Sequence, residues 1–418
     1  MDIDMYNTQF GDCFRIGHNN QSLIVDFGIH AKSLPNGAIR KNQAYTRDTV
    51  HEKTAEALLA IEQKNLLLTH YHVDHISGLL YMYENQKLGY REHPFETVYL
   101  PDVWSWNGSK DAVTLMILEE LFDHAYFSAR GKLSLLELIK YLCEKVSNVT
   151  LLKRGSQFEK NPKTMEENVF TALWPDPEHL DKSARQKKEE IEANRDILTE
   201  WVNGAEMIAE ELIKHMQLLL DIQAENLRKE DAMPFGRIQE RAIMLAGEIR
   251  ERCNGNEDYK IIIETWRDNL NAFGNQISIV FHNTEDDPDG GNVLFTGDIH
   301  KSGFTYIKKH DNPGLHATYR YIKLPHHGTR AHHRDFVKFS PKVLMIPNGK
   351  VGGVHHAESY KICEEYRGLI QSGKPDEPVR VYCSNSNWCE MNCGGTVADC
   401  TCGGEATIIF PEDWKPVR

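Results

Sequence analysis

Along the first thirty positions the apolar residues fall in short runs rather than at helical steps. Runs at 13–16 and 22–26, separated by the polar turn His18, Asn19 and Asn20 and closed by Gly28, predict a strand hairpin. Apolar runs at 66–69 and 97–100, the second stopped by Pro101, predict buried strands with polar residues at their ends. The period then changes. Ser109 stands where it caps a helix through Leu118 and Phe122, and Ser134 with Glu137 has capping-box spacing ahead of Leu138 and Leu142. Extended stretches at 149–152 and 169–174 follow, broken by Pro175-Asp176-Pro177.

From about 180 to 270 the pattern is helical. Ile191, Leu198, Trp201, Val202, Ala205, Ile208, Leu212, Met216 and Leu220 recur at three- and four-residue steps and predict one long amphipathic helix. A second is predicted over 238–249, with Pro234 and Gly236 in the turn, which makes a helical hairpin set into an α/β body. Its sustained apolar stripe could also seat a second copy of the chain or another protein. Strand patterns return at 277–281, 292–296, 319–324, 343–346, 379–382 and 406–410. The chain therefore divides into 1–177, a helical insertion at 178–272, and 273–418 with a cysteine-rich loop at 383–402.

Composition narrows the class. With 40% hydrophobic and 26% charged residues the chain is of globular type. No apolar run approaches the roughly 18 residues of a membrane-spanning helix, and the first residues lack the basic start and apolar stretch of a secretory signal, so no membrane role and a cytoplasmic location are expected. A net charge of −13 argues against a broad basic face coating nucleic acid. Without an export signal, the nine cysteines are expected to be thiols or metal ligands rather than a disulfide framework.

The densest chemistry is Thr69-His70-Tyr71-His72-Val73-Asp74-His75, three imidazoles and a carboxylate at the exit of an apolar strand. Imidazole nitrogen and carboxylate oxygen suit zinc and similar divalent ions, and a loop after a buried strand can aim several of them at one point. Elsewhere the signals are weaker singly. Asp26 ends a strand, Gly297-Asp298 reads as a turn, and Pro325-His326-His327-Gly328 follows a buried strand.

The arrangement His-x-His-x-Asp-His, at His70, His72, Asp74 and His75, resembles the hallmark of the metallo-β-lactamase superfamily. The resemblance implies an α/β fold, a four-layer αββα sandwich with the helical hairpin inserted, and two divalent cations, zinc or manganese, at one edge. It implies Asp298 as the carboxylate bridging both cations, His327 as the last histidine ligand, and Asp26 and His326 as supports behind the ligands. Gln9-Phe10-Gly11-Asp12, Leu173-Trp174-Pro175, Asn275-Gln276-Ile277-Ser278 and Pro325-His326-His327-Gly328-Thr329 are similar to motifs of the branch typified by the hydrolase domain of competence-type DNA-uptake proteins. Most of the superfamily carries a further histidine ligand between the cluster and the bridging aspartate; His93, His124, His179 and His215 are available, and none ends a convincing strand.

On this resemblance, cations about 3.5 to 4 Å apart would share a water, lower its pKa and present hydroxide to phosphorus or a carbonyl carbon. Asp74 would bind one cation and orient the hydroxide, His356 would donate a proton to the leaving oxygen, and Thr329 would contact a phosphate oxygen. The implied function is a metal-dependent phosphodiesterase or nuclease taking a nucleotide or nucleic-acid substrate. A carbonyl hydrolase of lactones, thioesters or β-lactams would share the fold and metals, and a partner-binding protein on an inactive core is the third reading. Cys389, Cys393, Cys400 and Cys402 form either a structural zinc site or a set of thiols in a long hairpin loop. The charge runs at 182–188 and 237–252 read as solvated helix faces, and would contact nucleic acid only if Lys182, Arg185, Lys187 and Lys188 lay beside the cations.

Overall fold

Period-two alternation puts Leu23 and Val25 on one side of their strand and Ile24 on the other, and the fold follows from that division. The computed structural model describes residues 2–348 apart from 7, 9, 19–20, 31–37, 41–42, 46, 86–93, 107, 127–132, 147, 161–167, 226–234, 288–290, 311, 330–331 and 333–335, together with 380–383. One sheet joins β1 (Asp2–Met5), β2 (Phe14–His18), β3 (Gln21–Val25), β6 (Lys64–Leu67), β7 (Val98–Pro101) and β8 (Val149–Leu152) in that order, and is parallel from β3 onward. β4 (Ala38–Arg40) and β5 (Gln43–Tyr45) form a separate small hairpin.

The other sheet runs from β9 (Gln157–Lys160) through β10 (Asn168–Trp174), β11 (Val280–Asn283), β12 (Val293–Phe295), β13 (Tyr321–Lys323) and β14 (Val343–Ile346) to β15 (Arg380–Cys383). It is antiparallel up to β12 and parallel from there. Phe14, Ile16, Leu23, Val25 and Leu67 of the first sheet share one apolar cluster with Phe170, Phe281, Val293, Phe295 and Met345 of the second. The opposite faces, Ile24, Leu66 and Val98 on one sheet and Leu294, Ile322 and Leu344 on the other, join the helices in a second cluster. This is an α/β fold with mixed sheets and helices.

The helices are α1 (Arg47–Leu59), α2 (Val73–Glu84), α3 (Ser109–Tyr126), α4 (Ser134–Lys145), α5 (Pro177–Glu192), α6 (Asp196–Glu225), α7 (Gly236–Asn254), α8 (Glu257–Gln276) and α9 (Lys301–Lys309). The region expected to be a two-helix hairpin instead holds, among the described residues, four helices, α5 to α8, packed on α3 and on one another. The long stripe divides at 193–195, so Ile191 belongs to α5, which starts at Pro177 with Asp176 Oδ1 accepting from the His179 amide at 3.1 Å. After Gly255 the Asn256 side chain accepts from the Asp258 amide at 2.9 Å and starts α8, whose buried Ile263, Trp266, Leu270 and Phe273 repeat the helical spacing.

α4 also departs from expectation. Ser134 makes no cap; Glu120 on α3 reaches across to accept from the Leu135 amide at 2.6 Å, while Glu137 accepts from Gln239 on α7 at 2.7 Å. The basic runs are largely engaged within the helices. Arg185 pairs with Asp181 at 2.9 Å, Lys187 with Glu190 at 3.5 Å, and Lys188 with Asp111 at 3.0 Å and with Glu206. No described helix is long and apolar enough to cross a membrane.

Candidate metal centre

Four strands release their polar residues at their carboxyl ends, where side chains of neighbouring parallel strands converge. β3 ends in Asp26, β6 leads through Thr69 to His70 and His72, β12 leads to Asp298, and β13 leads through Leu324 to His327. Asp74 and His75 lie in the first turn of α2, where the helix dipole favours a carboxylate. Gly28 lies so close to the Asp74 backbone that a Cβ would overlap it, which seats α2 against the β3 exit.

Two of these exits are strained. Asp26 has φ 59°, and His326 (φ 46°), His327 (φ 57°) and Gly328 (φ 74°) are left-handed in succession. Such backbone costs about 1–3 kcal/mol per non-glycine residue and persists only where surroundings over-determine it. Here they do. The Asp26 amide donates to Leu67 O at 2.8 Å, the His326 amide to Gly297 O at 3.2 Å, and Asn348 Nδ2 to His327 O at 3.0 Å.

Each imidazole has one nitrogen anchored and the other turned to the centre. His75 Nδ1 donates to Asp26 Oδ2 at 2.8 Å, His327 Nδ1 to Pro347 O at 2.8 Å, and His72 Nε2 to Glu119 Oε1 at 3.0 Å, while His70 Nδ1 lies 3.2 Å from Thr69 Oγ1. Asp26 also accepts from the Thr69 amide and hydroxyl, both at 2.7 Å. The opposite nitrogens meet: His70 Nε2 and His72 Nδ1 are 3.0 Å apart, and His75 Nε2 is 3.3 Å from Asp298 Oδ2. His327 Nε2 lies 3.3 Å from Asp74 Oδ2 and 3.6 Å from Asp298 Oδ2. Donor atoms of His70, His75 and Asp298 all fall within 4.8 Å of one another, and all three residues are buried. An anchored far nitrogen is the arrangement that fixes tautomer and ring direction in metal-ligating histidines.

A neighbouring gathering of Asp12, His75 and His327 also has donor atoms within 4.8 Å. Asp12 meets these histidines at their anchored nitrogens, 3.9 Å from His75 Nδ1 and 3.3 Å from His327 Nδ1, and Lys323 Nζ sits 2.6 Å from Asp12 Oδ2, so an ammonium already fills the place of a cation. Asp12 therefore lies behind the ligands. Lys323 reaches from it to Asp298 Oδ1 at 3.1 Å and to Gly297 O at 2.7 Å.

The electrostatics are those of a sink for positive charge. Burial favours a neutral Asp298, yet Lys323, His75 and His327 outweigh it and hold the carboxyl well below its usual range; burial likewise opposes Asp74, which His327 and His75 hold low. Burial would also lower His75 and His327. The carboxylates reverse this, chiefly Asp298, lifting His75 well above its ordinary value and His327 to about 9. Burial together with His75 and His72 pushes His70 well below its ordinary value, leaving it neutral and able to ligate. Divalent cations would compete with the protons of His75 and His327, because a ligating imidazole must be neutral.

The donor set fits a divalent cation: imidazole nitrogens and carboxylate oxygens in a closely packed group. Beside it, Asn275 is buried with Oδ1 accepting no hydrogen bond, and Gly274 packs where a Cβ would overlap His72 Nε2 and crowd the Glu119 carboxylate. Among the predicted site residues, the structure brings together Asp26, His70, His72, Asp74, His75, Asp298 and His327. His326 borders them, its Nε2 4.0 Å from Asp298 Oδ2, its ring stacked on His332, and its Nδ1 2.6 Å from Thr329 Oγ1. Thr329 is 1% exposed, so its hydroxyl serves His326 rather than facing solvent.

His356, the strand expected at 406–410 and the thiols Cys389, Cys393, Cys400 and Cys402 lie outside the described residues, as does His93. The other three histidines considered as a further ligand are engaged elsewhere: His124 with Arg250, His179 against Trp174 and Tyr306, and His215 with Glu211 O. Sequence reasoning missed Glu119 and Lys323. Both had a signal: an acid within the apolar run of α3, and a lysine inside the buried strand Tyr321-Ile322-Lys323.

Residues 6–142 match the family model described as Metallo-beta-lactamase superfamily. The match takes in Asp12, Asp26, the His70 to His75 cluster and Glu119, and ends before Asp298, Lys323 and His327. Comparison with curated proteins gives no match. The similarity supports a metal-dependent hydrolase in general, with the buried histidine and aspartate groups as candidate ligands.

Proposed function

We propose that the chain is a two-metal phosphodiesterase or nuclease of the branch its peripheral motifs resemble. In this reading the fold is a four-layer αββα sandwich, with α5 to α8 as an inserted helical block. The reading rests on one observation above the rest: Asp298 Oδ2 stands within 3.3 Å of His75 Nε2 and 3.6 Å of His327 Nε2, while every imidazole around it is anchored through its other nitrogen.

His70 and His72 would hold one cation, Asp74, His75 and His327 the other, and Asp298 both. Such a pair supplies Lewis acidity and lowers the pKa of a water between its members. Asp74 would accept a hydrogen bond from an attacking water and set its direction. Among the described residues, His326, kept in one orientation by Thr329, is a side chain at the rim that can donate a hydrogen bond to a leaving oxygen, the role expected of His356 from the sequence. The internal pairing of Arg185, Lys187 and Lys188 favours a nucleotide-sized ester or a single strand over a long duplex, which needs a broad basic face.

The test is a screen of zinc- and manganese-loaded protein on single-stranded DNA, RNA, cyclic dinucleotides and simple carbonyl esters, with Asp74→Ala as control. Phosphodiester turnover lost in the variant is the expected result. Turnover of carbonyl esters alone would replace this reading with that of a carbonyl hydrolase, and no turnover with either metal would favour a binding role.

A further inference from the structure

Lys323 closes β13 with its side chain 1% exposed, deep beside the centre. Its three acceptors are Asp12 Oδ2 at 2.6 Å, Gly297 O at 2.7 Å and Asp298 Oδ1 at 3.1 Å, which match the three N–H donors of an ammonium. Two carboxylates on one lysine are more than a surface pair. Removing Lys323 would leave two buried carboxylates uncompensated, whereas removing one carboxylate leaves the lysine its other partner.

The division of Asp298 between its two oxygens is what gives Lys323 a role. Oδ1 is bound by Lys323; Oδ2 faces His75, His327 and, at 4.0 Å, His326. A carboxylate free to turn can chelate one ion with both oxygens or span two ions with one oxygen each. An oxygen that already accepts from a buried ammonium is a poorer ligand for a further cation, which makes the other oxygen the preferred one.

Resting on the two-metal reading above, we propose that Lys323 is a positioning residue that reserves Asp298 Oδ1, so that Asp298 meets both cations through Oδ2 alone, with Asp12 as the anchor that fixes the lysine. Asp12 is itself tied to the cation-holding segments, its amide donating to Asp74 O at 3.0 Å and its Oδ1 lying 3.3 Å from His327 Nδ1. The clamp therefore joins the turn at Asp12, the start of α2, and the ends of β12 and β13.

The test uses the full chain loaded with manganese and read by electron paramagnetic resonance and by metal titration. Wild-type protein is expected to take up two ions with an exchange-coupled signal. Lys323→Met alone strands Asp12, so the informative variant is Lys323→Met with Asp12→Asn, which removes the charge from both; Asp12→Asn alone keeps an acceptor for the lysine and serves as control. The double variant is expected to bind its second ion at least about tenfold more weakly and to show isolated rather than coupled manganese, as loss of an outer support does. The control is expected to keep the coupled signal.

A coupled signal and unchanged second-ion affinity in the double variant overturn the role of Lys323. Wild-type protein that takes up no pair of ions overturns the two-metal reading instead. Should the double variant fail to fold, a crystal structure of the manganese-loaded wild type decides: Lys323 Nζ on Asp298 Oδ1 with only Oδ2 on the metals supports the proposal, and both oxygens on the metals refutes it.

Discussion

Glu119→Gln isolates one half of the centre. Glu119 Oε1 lies 3.0 Å from His72 Nε2, and His72 Nδ1 lies 3.0 Å from His70 Nε2, so the carboxylate acts on the His70 and His72 ligands through one imidazole. Glutamine has nearly the same volume and still offers an acceptor, so packing is kept and the charge alone is lost. The charge matters because it holds the proton on Nε2, leaving Nδ1 with its lone pair for a cation, and because it raises the basicity of that nitrogen. Loss of such a support costs about 10- to 100-fold in metal affinity, or about 1.4 to 2.8 kcal/mol. His75 and His327 are anchored separately, by Asp26 and Pro347 O, and should not feel the change. Calorimetric titration of metal-free protein with zinc should therefore show one binding phase weakened by that factor and the other unchanged. Equal weakening of both phases, or of neither, would refute the assignment of His72 Nδ1 as the ligating nitrogen.

Two further outcomes follow from features away from the ligands. Burial pushes Glu120 up to about 8, although it accepts from the Leu135 amide, and its Oε2 is shut from solvent with no hydrogen-bond partner. Its folded-state pKa is raised above the unfolded value of about 4.3, so the stability held by its proton is complete below that pH and lost as pH climbs through 8. The difference is of the order of 2–4 kcal/mol once partial exposure of the residue is allowed for. Glu120→Gln should match wild type in urea unfolding at pH 5 and exceed it at pH 9, both with chelator present; parallel pH profiles would contradict this. Phe281 stacks on Phe295 at 5.2 Å and 11° and meets Phe158 and Phe170 edge-on, so Phe281→Ala should cost about 3–5 kcal/mol of unfolding free energy. A loss under about 1 kcal/mol would mean that the sheets do not pack through this aromatic cluster.

Whatever depends on neighbours in sequence could be read from the chain, and whatever depends on packing between distant segments could not. The strand hairpin around His18, the buried strands before Thr69 and after Pro341, and the polar exits at Asp26, His70 and Asp298 all follow from short apolar runs and the residues that end them. The division of the helical region was legible in part: Asn256 and the stripe Ile263, Trp266, Leu270 and Phe273 carried the signal of α8, but the continuous helical spacing concealed where one helix stops. The cap of α4 was not legible at all, because Glu120 supplies it from another helix in place of the local Ser134.

The same holds, more sharply, for the groups behind the candidate ligands. Glu119 is 47 positions from His72, and Lys323 lies 25 positions from Asp298 and on the far side of the chain from Asp12. No local pattern pairs them. Only the packing of α3 beside the β6 exit, and of β12 beside β13, makes a carboxylate on a helix and a lysine in a strand into parts of one centre. A histidine and aspartate motif names which atoms can bind a cation, whereas the partners that fix their tautomer and direction are set by tertiary structure. The partners that set the direction of the candidate ligands are therefore to be tested first at Glu119, Lys323 and Asp12.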